Sequence, residues 1–330
     1  MAYISGAESV LLYAYELQSE WDKTAANHTA SDETYVPFGH GVSATITRTN
    51  NTEPVFGVGA RNASATINKN YEGKASVEGS LSNAYWLLGV LGANADAGGT
   101  GAYTHTYTEA DLVPSFSVKS SFELGTTDFV STLVGVKAES ATITAAVNEA
   151  VKFSLDCSYR YETTSTTKVA NNPDIEPVFT FAHGNIQLPD STTIAAIQSV
   201  ELTVANNSES LYQVGSRFKT SNVAMNREYS FTIDAAFKDQ AALLNYFLNG
   251  TNSATVPDAG SGTEIATMSL TFTNDDGDIL DISLTGVTLS EESLNQSSGD
   301  IVKENVTGVA RGCTSMIYTN DVETAPTLAT

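Results

Sequence analysis

The sequence predicts a mainly β protein built from two tandem copies of one sandwich domain, each copy flanked by a single α-helix. Three observations carry that expectation. Twelve residues are spelled twice, "NNTEPVFGVGAR" from Asn50 to Arg61 and "NNSESLYQVGSR" from Asn206 to Arg217, with six of the twelve identical. Several stretches alternate apolar with polar or small residues, the period that places one set of side chains on a core face. One stretch in each half shows i, i+4 apolar spacing instead, as a helix requires.

The repeat extends well beyond the twelve residues. Upstream, "FGHG" (Phe38–Gly41) echoes "FAHG" (Phe181–Gly184). Downstream, "KASVEGS" from Lys74 matches "SFTIDAAF" from Ser230, and "SNAYWLLGVLG" from Ser82 matches "QAALLNYFLNG" from Gln240. Later, "LVGVK" from Leu133 matches "LTGVT" from Leu284, and "CSYRYETT" from Cys157 resembles "CTSMIYTN" from Cys313. A constant order of landmarks is the signature of internal duplication. The expected organisation is an N-terminal arm (1–35), a first copy (36–162), a linker (163–178), a second copy (179–312) and a C-terminal arm (313–330).

Within the copies, Phe231, Ile233, Ala235 and Phe237 alternate with polar or small residues, as do Val151, Phe153, Leu155, Cys157, Tyr159 and Tyr161. "MSLTFTNDDGDILDISLTGV" reads as a hairpin: Met268, Leu270 and Phe272 face one way, Asp276-Gly277 turns, and Leu280, Ile282 and Leu284 return. Its counterpart runs from Phe116, Val118 and Phe122 through a turn at 125–127 to Phe129 and Leu133. The helix of the second copy is expected at Leu243, Leu244, Phe247 and Leu248, with Asp239 capping its start and Gly250 at the left-handed position past its end. Ser82 and Gly92 hold those places in the first copy.

Length and composition narrow the function. A chain of 330 residues suits two domains of moderate size. Acids number 38 against 16 bases, a net charge of −22, and such a surface repels nucleic-acid phosphate. It also suits a halophilic setting, since at about 1 M salt the Debye length is roughly 3 Å and self-repulsion is screened. The start, "MAYISGAESVLL", has no basic segment ahead of a long apolar one, so no secretory signal is expected. The longest apolar run, "LLGVLGA", is far short of the roughly 18 residues of a membrane span.

Sites of chemistry are not expected. The four histidines, His28, His40, His105 and His183, have no metal-ligand spacing, and His40 and His183 fall at equivalent places of the repeat, which points to a structural turn. "NDDGD" (Asn274–Asp278) bunches carboxylates but departs from a calcium loop and reads as a solvated hairpin turn. Cys157 reads as an inert buried thiol, with Cys313 as its counterpart. No nucleophile elbow, phosphate-binding loop, zinc-protease motif or CxxC pair occurs. The expectation is no enzyme, no cofactor and no metal.

The recurring dodecapeptide therefore holds the candidate functional residues: Asn50, Asn51, Glu53 and Arg61 in the first copy, and Asn206, Asn207, Glu209 and Arg217 in the second. One reading is a bend inherited by duplication, with Gly59 and Gly215 at positive φ. The other is a contact between subunits or between rings of subunits. Arg61 and Arg217 are two of few cations in an acidic chain, and each can grip a carboxylate with two parallel hydrogen bonds.

The order "NNxExxxxVGxR", a strand, a short helix ending at glycine, and "YTHTYTEADLVPSF" (Tyr103–Phe116) resembles the tail tube proteins of long-tailed, siphovirus-like viruses of bacteria and archaea. The resemblance covers about Tyr35 to Gly312, and the acidic composition points within that group to viruses of salt-loving archaea. It implies a β-sandwich with a flanking helix, a virion location in the tail after assembly in the host cytoplasm, and self-association into rings that stack as a tube guiding DNA. Most relatives use six single domains per ring, so a duplicated chain implies homotrimeric rings with pseudo-sixfold order. The implied partners are the chain itself, a tape-measure protein, and tail-terminator or baseplate proteins, with DNA as non-specific cargo and no membrane. Two other classes compete: a capsid-decoration or surface β-protein, and an extracellular carbohydrate-binding or hydrolytic β-protein using acids such as Asp275 and Asp276.

Overall fold

The computed structural model describes residues 9–16, 35–99, 102–123, 128–167, 169, 176–188, 197–236, 246–248, 264–295 and 301–321. Strands dominate. The first half contributes β1 (Ser9–Tyr15), β2 (Val36–Pro37), β3 (His40–Phe56), β4 (Ala63–Ser80), β5 (Gly92–Gly99), β6 (Ala102–Glu109), β7 (Phe116–Glu123), β8 (Asp128–Ala146), β9 (Lys152–Tyr159) and β10 (Tyr161–Ser165). The second contributes β11 (Asn185–Gln187), β12 (Ile197–Ala205), β13 (Glu209–Leu211), β14 (Ser221–Val223), β15 (Glu228–Ala236), β16 (Ile265–Thr273), β17 (Ile279–Asn295) and β18 (Lys303–Asn320). Every pairing is antiparallel.

The same pairing order occurs in both halves. In the first, β1 joins β7, then β8, β9, β4 and β3. In the second, β11 joins β16, then β17, β18, β15 and β12. The registers coincide at the level of single residues. Ala138 opposite Cys157, followed by a bulge before Ser140, becomes Leu289 opposite Gly308, followed by a bulge before Glu291. Ala44 opposite Val77 becomes Val200 opposite Ile233.

Long strands serve two parts of the sheet. Residues 128–136 of β8 pair with β7 and β10, while 137–146 pair with β9 and β12. The change falls beside Gly135, whose φ is 65°, with the Arg160 side chain laid over it so that an added Cβ would come within 3.1 Å of Arg160 Cβ. In β17 the matching residue is Gly286, φ 63°, under Arg311, where the same distance is 3.0 Å. A left-handed φ with a side chain packed on top admits glycine and little else.

Alternation carries the core as the sequence predicts. Phe231, Ile233 and Ala235 are buried, as are Val151, Phe153, Leu155, Cys157 and Tyr159. The hairpin at 268–284 forms with Gly277 at φ 91°. Asn274 organises its turn: Oδ1 accepts from the Asp276 and Asp278 amides, and Nδ2 donates to Asp278 Oδ2. In the first half the expected hairpin forms, with Phe122 opposite Phe129 and Val118 opposite Leu133, while the turn residues lie outside the described ones. A tight turn, Tyr85–Leu87, leads into helix α1 (Leu88–Leu91), which ends at Gly92 with φ 108°. The tight turn is preceded by Ala84 at its N-terminal boundary, not by Ser82 as the sequence suggests. Trp86 stacks on Phe153 with ring centres 5.3 Å apart, which fixes the helix against β9. Residues 246–248 are helical in the second half; Asp239, Leu243, Leu244 and Gly250 lie outside the described residues.

Two joints fuse the halves into one sixteen-stranded sheet. Ser140–Ala146 of β8 pairs with Ser199–Ala205 of β12, and Tyr103–Tyr107 of β6 pairs with Met316–Asn320 of β18.

Four sequence readings need correction. Ser9–Tyr15, expected in a terminal arm, is a sheet strand with Leu12, Tyr13, Ala14 and Tyr15 buried. β18 continues to Asn320, past the expected end of the second copy. Cys313 is not the counterpart of Cys157: it lies opposite Leu284, the place held by Glu162 opposite Leu133, while Gly308 stands where Cys157 does. Both thiols are free and buried, and burial pushes that of Cys313 up to about 12. His40 opens β3 and bonds the Glu176 carbonyl, whereas His183 precedes β11, which holds the place of β1, so the two histidines are not structurally equivalent.

Candidate assembly surfaces

The two dodecapeptides follow the ends of corresponding pairings. Thr49 opposite Glu72 in the first half corresponds to Ala205 opposite Glu228 in the second. Beyond that point they diverge. β3 and β4 run on as a ladder from Asn50 opposite Tyr71 to Phe56 opposite Ala63. After Ala205 the second half leaves the large sheet, Asn207 takes φ 45°, and β13 pairs with β14 as a separate two-stranded ribbon.

Asn206 is buried in the joint between the halves, 1% exposed. Its Nδ2 donates to the carbonyls of Val90 at 3.1 Å and Ala138 at 3.2 Å, and its Oδ1 accepts from Arg227 Nε at 2.9 Å. Its amide donates to the Glu139 carbonyl at 2.8 Å, extending the β8–β12 ladder by one bond. The Arg227 guanidinium also closes on the carbonyls of Leu91 and Ala110, so the end of α1 is tied to the second half.

Asn50, at the matching place, is exposed. Its Oδ1 accepts from Arg217 Nη2 at 2.8 Å, and Arg217 Nε donates to the Lys69 carbonyl at 2.9 Å. Tyr71 N donates to the Arg217 carbonyl, and Tyr212 Oη donates to that of Tyr71, so the second ribbon is laced to the base of the first. Asn51 Nδ2 reaches Asn70 Oδ1 and Glu72 Oε1, and Glu53 pairs with Lys69, which holds its carboxyl below the usual range. Asn207 Nδ2 donates to the Asn226 carbonyl. Glu209 and Arg61 are exposed and make no side-chain bond among the described residues. The structure thus brings Asn50 and Arg217 together and leaves Arg61 apart.

The tips remain alike. Val58 and Val214 are fully exposed, and Gly59 and Gly215 follow them at φ 80° and 97°. Phe56 and Tyr212 stand near them at matching positions, partly exposed. Apolar side chains held out on a narrow ribbon are what a packing partner covers.

Sequence reading missed the residues beneath the ribbons. Arg48 grips Glu162 through Nε and Nη2, with Ser131 Oγ as a third donor; burial raises the Glu162 pKa, but these bonds outweigh it and hold the carboxyl below its usual range. This pair lines a cleft of about 540 Å³ with Asn50, Tyr71, Arg217 and Phe218. Under β14, Lys137 Nζ donates to the Asn222 carbonyl at 2.9 Å, and Asn222 Nδ2 to Ser158 Oγ at 2.6 Å. Lys219 is 4% exposed, and burial brings its amine down to about 8. A lone lysine in a ribbon carries no sequence signal of burial, because the partners come from distant strands.

Among the described residues no group of three or more His, Cys, Asp or Glu side chains is placed to hold a metal ion. A family model described as "Phage tail tube protein" matches residues 6–310. A comparison with curated proteins returns no match.

Proposed function

The chain belongs to the phage tail tube protein family, and from that premise we propose that it assembles as stacked rings of three chains, each supplying two copies of a duplicated module in pseudo-sixfold order. The match over residues 6–310 carries the reading. As a family member the protein is a structural component of the virion tail. Duplication is supported by the recurrence of pairing order, bulge position and bent-strand glycine in the two halves. The ring is supported by sheet edges that are open among the described residues, which invite pairing and become harmless once symmetry closes them.

The assembled tube conducts DNA through its lumen. A net charge of −22 suits a conduit, since a carboxylate-rich wall repels phosphate and does not hold the cargo. The same charge requires screening when many copies stack, which ties assembly to high salt and the virus to a salt-loving archaeal host. The ribbons at 50–61 and 206–217, with the terminal segments, face the next ring. The tape-measure protein occupies the lumen during growth, and terminator and baseplate proteins cap the ends.

Electron microscopy of the purified protein across a salt series tests this. Hollow tubes of uniform diameter at high salt are expected. A chain that stays solitary in every buffer, or that only coats preformed shells, would overturn it.

A further inference from the structure

We propose that the joint between the two halves of one chain is repeated between chains, with β3 of one chain pairing antiparallel to the C-terminal end of β17 of a second copy, Ile46 opposite Leu294 and Thr47 opposite Ser293. This rests on the proposed ring and specifies its seam.

Both edges exist and are open. β3 pairs only with β4, and beyond Val287 β17 pairs only with β18, among the described residues. Their counterparts, β12 and β8, are already paired to each other within the chain. The correspondence between halves therefore transfers the register. Leu202 opposite Ile143 becomes Ile46 opposite Leu294. Thr203 opposite Thr142, with hydroxyls 3.0 Å apart, becomes Thr47 opposite Ser293. Val204 opposite Ala141 becomes Arg48 opposite Glu292.

The residue types fit the transferred pairing. Leu202 and Ile143 are 2% and 5% exposed, whereas Leu294 is 39% exposed and Ile46 half-buried in the single chain. Pairing would cover this apolar couple as the inner joint covers its own. Arg48 brings a positive charge to an edge where the neighbour offers Glu291 and Glu292, and its Nη1 is uncommitted. Opposite charges across a sheet help fix register, and a slip of one residue would turn Ile46 toward the wrong face.

The paired asparagines supply a second, independent signature. Inside the chain, Asn206 Nδ2 bonds the Val90 and Ala138 carbonyls while Arg227 holds its Oδ1. At the open edge an arginine from another position, Arg217, donates from Nη2 to Asn50 Oδ1, and Asn50 Nδ2 has no acceptor among the described residues. The corresponding carbonyls on a second copy are those of Leu248, in its helical segment, and Leu289. The duplicated asparagine is thus the same clasp twice, closed in cis at 206 and held ready at 50. The contact is head-to-tail, so it closes a ring or extends a helix according to the rotation per step.

Cysteine pairing reads the register directly. Thr47→Cys with Ser293→Cys places thiols on one face of the proposed pair. Thr47→Cys with Leu294→Cys places them on opposite faces. Oxidation of the assembled first variant should give chain-to-chain disulfides in most subunits, seen as dimers and trimers on a non-reducing gel, and the second should stay at least tenfold less linked. Tubes that form normally but link equally in both variants, or in neither, would overturn the register and leave the tube intact. Absence of any tube or oligomer from the unsubstituted chain would overturn the ring, and the seam with it.

Discussion

Asn50 and Asn206 occupy matching places in two ribbons that share six of twelve residues, yet one is exposed and the other 1% exposed. The difference lies in what each strand end meets. The second ribbon begins where β12 lies against β8, so Asn206 is sealed under α1. The first begins at an edge unpaired among the described residues, so the same side chain is held by Arg217 and stays exposed. One sequence motif therefore sits in two settings, and only the neighbourhood separates them.

The largest expected effect tests that contrast. Asn206→Ala would remove a bond from each of two buried carbonyls and from Arg227 Nε, which should cost about 2–4 kcal/mol of stability. Asn50→Ala removes an exposed amide and should change the stability of the unassembled chain by less than about 0.5 kcal/mol, while raising the concentration needed for assembly. Denaturant unfolding of the single chain and a sedimentation assay of assembly check the two arms. Equal destabilisation by both substitutions would break the comparison.

How far this was legible from sequence follows the range of each signal. The 268–284 hairpin was legible because its register is set locally, by alternation and by Asn274-Asp-Asp-Gly277. The matching landmarks fall at corresponding places of the two pairing orders wherever strands align without insertions. The matching misled at "FGHG" and "FAHG" and at the two cysteines, where short matches of residue type outweighed strand count; a bulge or a missing turn shifts position without leaving a mark. β1 was missed because "SVLLYAY" lacks alternation, its last four residues being buried on both faces by partners far along the chain. For the eight candidate site residues, sequence placed Asn50 and Asn206 at matching positions but not their states, since exposure of Asn50 and burial of Asn206 depend on which edge finds a partner in cis.

A smaller effect is expected from the amine beneath the second ribbon. Burial brings Lys219 from 10.5 down to about 8, so near neutral pH the folded chain carries a charged lysine in a poor setting. A depressed lysine pKa means that the unfolded chain binds more protons between about 8 and 10.5, so stability rises with pH across that window. Lys219→Met should stabilise the chain by about 1–2 kcal/mol at pH 7, and the advantage should fade as pH rises through the same window. Unfolding curves of both proteins from pH 7 to 10.5 check it. A constant difference would mean that the lysine is well solvated or paired, and that the ribbon sits more loosely on β8 and β9 than its bonds indicate.

The smallest effect on the single chain is expected at Arg217. Its two bonds, to the Lys69 carbonyl and Asn50 Oδ1, are exposed, and exposed charge-assisted contacts contribute about 0.2–1 kcal/mol. Arg217→Glu should therefore leave the chain folded with nearly unchanged unfolding, in contrast to loss of the buried clasp. Assembly should suffer much more than stability. The substitution frees the Asn50 amide to turn and places a carboxylate near Glu72 in an already acidic chain, so the edge is no longer aligned when a second copy arrives. A salt series separates the two causes: added salt would relieve repulsion but would not restore the orientation of Asn50. Partial rescue at high salt, short of the unsubstituted protein, is the expected result. Normal polymerisation of Arg217→Glu at every salt concentration would show that the arginine serves the ribbon alone, and the likeness between Arg217 at Asn50 and Arg227 at Asn206 would then carry no shared role, since in the repeat Arg217 matches Arg61 and Arg227 matches Tyr71.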